Sequence, residues 1–232
     1  METDPHDKFY TERTLYMKIS FLASIIVFCI WLAYEIRKAH KKDQKFRDSF
    51  WEKESKANAT RAKSLDSLNY IELPDFVINA FPNPIPAELG ESHRLLEHLT
   101  GSKIVNLSHI TNTDLKLKYG ASNLDILSEY DQNYISLSRI IQNLSEFHYE
   151  KGNIETAKQL LEFAISTQND SIGIYKMLAQ IYADSGEDAR FDYLISSANL
   201  LPGLTKGPIL RFLDEMRPKD TNPEESILDI LD

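Results

Sequence analysis

A chain of 232 residues is long enough for one or two domains. Its 42% hydrophobic and 26% charged content suits a folded protein better than a disordered one. A net charge of −9 argues against nucleic acid, since phosphate contacts need a positive face, and a single cysteine, Cys29, excludes an intramolecular disulfide and any cysteine-rich zinc site.

After a short tail over 1–17, the stretch Ile19 to Tyr34 carries no charge, proline or glycine. Leu15, Tyr16, Met17 and Ile36 lengthen the run, and Tyr16, Trp31 and Tyr34 stand where interfacial aromatics are expected. The pattern predicts a single-pass transmembrane helix over 18–36. Ala33, Tyr34 and Glu35 lack the small-x-small spacing of a cleaved signal peptide. Arg37, Lys38, Lys41, Lys42, Lys45, Arg47 and Lys53 outnumber the cations before the run. That asymmetry predicts a cytoplasmic C-terminal domain. Cys29 lies inside the run and reads as a small apolar residue.

The next stretch, 37–69, has no glycine or proline and is rich in Lys, Glu, Ala and Arg, so a helical arm is expected. Ile36, Phe46, Phe50 and Ala57 recur at loose helical spacing, with Trp51 beside them. The arm reads either as an interfacial helix meeting anionic lipid or as a solvated stalk or weak coiled coil, its apolar repeat being too thin to establish the coiled coil. Lipid contact through anchor and arm is therefore one expected partnership. Pro74, Pro82, Pro84 and Pro86 then define an extended linker over 70–87, whose Phe76, Val77, Ile78 and Phe81 are expected to pack on their own domain.

A helical domain is predicted over 88–216. Leu95, Leu96 and Leu99 mark a first helix ending at Gly101, and Lys103 to Ile110 fits either a short helix or a strand. Asn112 is the expected cap of a helix stopped by Gly120, and another helix covers Asn123 to Tyr130. Ile209 to Met216 reads as a closing helix, and 217–232 as an acidic, disordered tail. The domain requires no metal or disulfide and is expected to fold from about Glu88 onward without the upstream helix.

The most specific signal begins after Asn133. One constant shift of the chain aligns Ile141 with Tyr175, Leu144 with Leu178 and Ser145 with Ala179. The same shift aligns His148 with Tyr182, Gly152 with Gly186, Leu161 with Ile195 and Ala164 with Ala198. Each glycine falls between two helices, as a helical hairpin requires, and the small residues let helices approach closely. Over 138–203 this period of about 34 residues resembles two tetratricopeptide repeats, with their W-x2-L-G-x2-Y pattern and downstream small residues. Ser145 at the small position, His148 at the aromatic one and Phe191 where Ala157 stands in the earlier unit depart from it. The resemblance implies an all-α hairpin domain whose first helices line a groove. Arg139, Gln142, Glu146 and Tyr149 would face it, joined by Lys176 and Gln180.

No spacing points to catalysis, a metal or a cofactor. His93 and His98 do not share a helical face. Thr100-Gly101-Ser102-Lys103 ends like a phosphate loop but lacks the upstream glycine. The expected function is a membrane-anchored interaction module for a protein or peptide. The alternative is a constitutive structural subunit of a membrane complex.

Overall fold

The computed structural model describes residues 5–187 and 189–217, with side chains from Phe21 onward. The expected acidic tail beyond 217 and residues 1–4 of the N-terminal tail lie outside the described residues. The chain divides into two compact units, 1–59 and 60–232.

The first unit is one helix, α1, Pro5–Asn58. Proline is tolerated at the first position because its missing N–H has no partner in the first turn anyway. Nothing between there and Asn58 is glycine or proline, so nothing interrupts the hydrogen-bond ladder. The expected membrane anchor and the expected arm are thus segments of the same helix.

This helix overturns the single-pass reading. No helix among the described residues is long and apolar enough to cross a membrane. The uncharged run extends only from Ile19 to Tyr34, closed by Lys18 and Glu35. At 1.5 Å per residue it spans about 24 Å, short of the roughly 30 Å of a hydrocarbon core. The transmembrane helix, the single-pass membrane location and the cytoplasmic placement deduced from it are withdrawn together. What remains is a helix with large apolar side chains in the open: Trp31 is 55% exposed and Phe46 71%.

The second unit opens with an extended stretch. Lys63 N–H donates to the Tyr119 carbonyl (2.9 Å) and Ala121 N–H to that of Thr60 (3.1 Å). Tyr70 forms an isolated antiparallel bridge with Val105, and Ile71 N–H donates to the Ile104 carbonyl (2.9 Å). The β-branched stretch near Val105 is therefore extended. Short apolar runs of this kind do not declare helix or strand by themselves.

Short α2 (Asp75–Asn79) buries Val77, and Phe76 packs edge-on against Phe163, their ring centroids 5.8 Å apart. The proline-rich segment thus folds back on its own unit. Because Leu68, Val77 and Ala80 are buried, residues upstream of Glu88 supply part of the core. Next come α3 (Gly90–Leu99) and α4 (Asn112–Tyr119). The cap of α4 is Thr111 rather than Asn112: its hydroxyl accepts from Asp114 N–H (3.2 Å) and donates to the Asp114 carboxylate (2.7 Å).

The remaining helices are α5 (Leu124–Glu150), α6 (Ile154–Ser166), α7 (Ile172–Ser185), α8 (Ala189–Leu200) and α9 (Lys206–Met216). Gly152 (φ 79°) turns α5 into α6, and Gly186 (φ 68°) turns α7 into α8. Both sit in the left-handed region that a Cβ disfavours. Two pairs of helix bounds repeat at the interval of the aligned residues. Helix α7 opens at Ile172 and α9 at Lys206, while α6 ends at Ser166 and α8 at Leu200. Both intervals equal the shift that aligns Leu144 with Leu178. Those two leucines are fully buried, as are Ser145 and Ala179, and Ala164 and Ala198.

Two apolar clusters form. The larger joins α3, α5, α6, α7, α8 and α9, and the smaller holds Leu107, Leu115, Leu127 and Tyr130. Helix α5 contributes to both, through Tyr130 at one end and Leu144 at the other.

Candidate partner-binding face

Helix α7 packs against α9, and α5 approaches α7 near Gln142. A side chain grown at Gly173 on α7 would start 3.8 Å from Gln142 Nε2 on α5. One helix further along, Lys176 Nζ sits over the Phe212 ring of α9, 5.2 Å from its centroid. These contacts bring the α5 and α7 members of the expected groove onto neighbouring helices.

Arg139, Glu146, Lys176 and Gln180 are exposed, while Gln142 and Tyr149 are half-buried. The ring of Tyr149 packs against the main apolar cluster. Gln142 Nε2 donates to Glu146 Oε1 (2.9 Å), and Gln180 Nε2 donates to Asp184 Oδ1 (2.8 Å). Each is an i,i+4 pair on one helical face. Arg139 Nη1 reaches Glu91 Oε1 of α3 at 3.7 Å.

Sequence reasoning misses Glu91, Asp184 and Phe212. Asp184 carries a usable signal, since it follows Gln180 at helical spacing. Phe212 becomes visible only once α9 stands one full repeat after α7. The contact of Glu91 with Arg139 depends on how α3 packs and has no sequence signal.

Behind the face, the aromatic position of the first hairpin is taken by His148. Its Nε2 lies 2.7 Å from the Ala80 carbonyl and its Nδ1 3.3 Å from Asn153 Nδ2. A carbonyl can only accept and an amide nitrogen can only donate, so Nε2 carries the hydrogen and Nδ1 accepts. The histidine pins the proline-rich segment to the hairpin, which a phenyl ring could not do. Tyr182, its counterpart in the second hairpin, donates to Glu162 Oε1 (2.7 Å). Burial first, and the bond to Glu162 second, hold the Tyr182 hydroxyl well above its ordinary pKa.

Comparison with protein-family models, curated proteins and solved structures finds no match. The functional reading therefore rests on this chain alone.

The phosphate-loop candidate fails on geometry. Thr100 to Lys103 follow the C-terminal end of α3, where the helix dipole is negative and the free backbone groups are carbonyls. Lys103 Nζ instead lies over the rings of Tyr70 (5.0 Å) and Tyr130 (5.9 Å). His93 pairs with Glu97 (3.8 Å) rather than with His98. Among the described residues, no group of three His, Cys, Asp or Glu is placed to hold a metal ion.

The face can exchange hydrogen bonds with a peptide: two amide–carboxylate pairs and two cations stand where a backbone could lie. Its stability should be insensitive to truncation, unlike the packing beneath it. Lys176→Ala is expected to cost about 0.5 kcal/mol, being an exposed change that loses one cation–π contact. Ala179→Leu, in the next turn and fully buried, should cost roughly 1–3 kcal/mol by overpacking. Urea melts of the two variants measure the gap; equal midpoints would place α7 in a different rotation.

Proposed function

We propose that the unit from Thr60 onward is a protein-interaction module of tetratricopeptide-like hairpins. It binds an extended peptide across the face formed by α5, α7 and α9. The observation that carries this reading is the recurrence of the turn glycines Gly152 and Gly186 and of buried positions at one fixed offset, with polar side chains on the first helices of the hairpins. An interior packed this regularly leaves specificity to that surface, because the core positions are already filled by one another. The ligand expected is polar: a backbone offering amides to Glu146 and Asp184, with an acidic side chain for Lys176.

A random peptide library displayed on phage and panned on the full chain tests this. Enriched peptides should lose about tenfold or more in affinity on Lys176→Glu combined with Gln180→Ala, equivalent to about 1.4 kcal/mol. Ser166→Lys, exposed on α6, should leave affinity unchanged. Failure to enrich any peptide, or equal losses in both variants, would remove the peptide-binding reading.

A further inference from the structure

We propose that the chain beyond Arg217 completes a third hairpin, in which the segment Asn222 to Asp232 seats its apolar side chains on α9 and α8. This pairing follows from the spacing of the hairpins and holds whether or not the polar face binds peptide.

Helix α9 stands where the first helix of a further hairpin belongs, one full offset after α7. Ile209 and Leu213 are fully buried, as Tyr175 and Ala179 are one offset earlier. Two other positions of α9 break the series. Leu144 and Leu178 are fully buried, but Phe212, next in their series, is half-buried. His148 and Tyr182 are buried, but Met216, next in theirs, is half-buried. On α8, Ile195 is half-buried where Leu161 of α6 is fully buried. In the two complete hairpins a second helix packs on the first. Helix α9 has α7 and α8 beside it and, among the described residues, no second helix of its own. The side chains left partly open therefore belong to positions that a following helix closes in the earlier units.

Two observations name the occupant. One is the path of the chain. Arg217, directly after α9, pairs with Asp192 near the start of α8 (2.8 Å). Glu187, after α7, pairs with Lys158 near the start of α6 (3.1 Å). Lys158 and Asp192 are one offset apart, so the chain leaves α9 by the path along which it leaves α7. It arrives where a helix antiparallel to α9 would begin.

The other is what the chain carries there. Helix α6 opens at Ile154 and α8 at Ala189, and a further step of that size falls at Pro223 to Glu224. Asn222, Pro223 and Glu225 are the start signals of a helix: a cap, a first-position proline and a carboxylate three residues after the cap. Ile227, Ile230 and Leu231 follow at a spacing that gathers them on one helical face, with Glu225 and Asp229 opposite. The stretch between Arg217 and Pro223 is long enough for a helix–helix turn. Acidity alone suggests disorder here; the offset gives the same residues an apolar face and a surface to cover.

Hydrogen exchange on the full chain tests this. Ile227→Lys, on the apolar face, should speed exchange of the α9 amides about tenfold or more and lower the thermal midpoint. Asp229→Lys, on the opposite face, should change neither. Unchanged protection of α5 around Leu144 shows that the rest of the unit stays folded. Equal α9 exchange in the parent and in Ile227→Lys overturns the proposal, as does an equal effect of the two lysines. A parent whose mass exceeds 26.7 kDa and whose α9 protection falls on dilution overturns it too, and gives the surface to a second copy.

Discussion

Phe191→Ala should lower the stability of the second unit by about 3–5 kcal/mol, the range for emptying a large aromatic site in a packed core. Phe191 is fully buried near the start of α8, where the first hairpin has the fully buried Ala157. The tetratricopeptide pattern wants a small residue there, so that the two helices of a hairpin can close up. If α7 and α8 were closed as α5 and α6 are, the phenyl ring would be forced, and trimming it would be neutral or stabilising. The structure places the ring in the core alongside Leu194 and Ala198. A loss of this size should move the thermal midpoint down by roughly 6–20 °C in a unit of this length. An unchanged or raised midpoint would mean that the ring is tolerated rather than required.

Gly120→Ala should be nearly as damaging for a different reason. Gly120 adopts φ 97° and ψ 146°, a region open essentially to glycine alone. A Cβ there would also collide with backbone, lying 2.6 Å from Ala62 Cα and closer still to the Arg61 carbonyl oxygen. Backbone cannot rotate away as a side-chain tip can. The conformational strain of about 1–3 kcal/mol and a comparable overpacking cost together give roughly 2–6 kcal/mol. The denaturation midpoint should fall without a change in slope if the folded state survives intact. Relaxation by peeling residues 60–63 away would show instead as faster amide exchange at Lys63, whose N–H donates to Tyr119. A midpoint equal to the parent's would contradict the close approach itself.

The hairpins are legible because their signals are local and repeat. A glycine between helices must be where the chain turns, and paired small residues must be where helices touch, so one offset locates Gly152, Gly186, Ala164 and Ala198 together. His148 breaks the pattern for a reason no spacing could carry: its partner, Ala80, lies 68 residues away in the proline-rich segment. Lys103 to Ile110 is ambiguous because an apolar β-branched run suits either state until a partner strand appears, and that partner is Tyr70. The candidate face is half legible. Gln142, Gln180 and, at helical spacing, Asp184 declare themselves, but the carboxylate of Glu91 and the Phe212 ring that engage Arg139 and Lys176 depend on how α3 and α9 pack. The membrane reading fails on length. An apolar run looks like a span until its charged ends, Lys18 and Glu35, are seen to make it too short.

Helix α5 belongs to two apolar clusters at once. Its segment from Asp131 to Asn133 lies between Tyr130, in the smaller cluster, and Tyr134, in the larger. Each residue of an α-helix advances the side-chain direction by about 100°, so the two clusters are held in angular phase by a short rigid shaft. A substitution in that shaft changes one contact. Removing a single residue from it would rotate one cluster's side chains a quarter-turn and more against the other, and no local repacking could absorb that. The loops around Gly152 and Gly186 can gain or lose residues without this penalty. Length in this unit is therefore a free variable at the hairpin turns and a fixed one along α5.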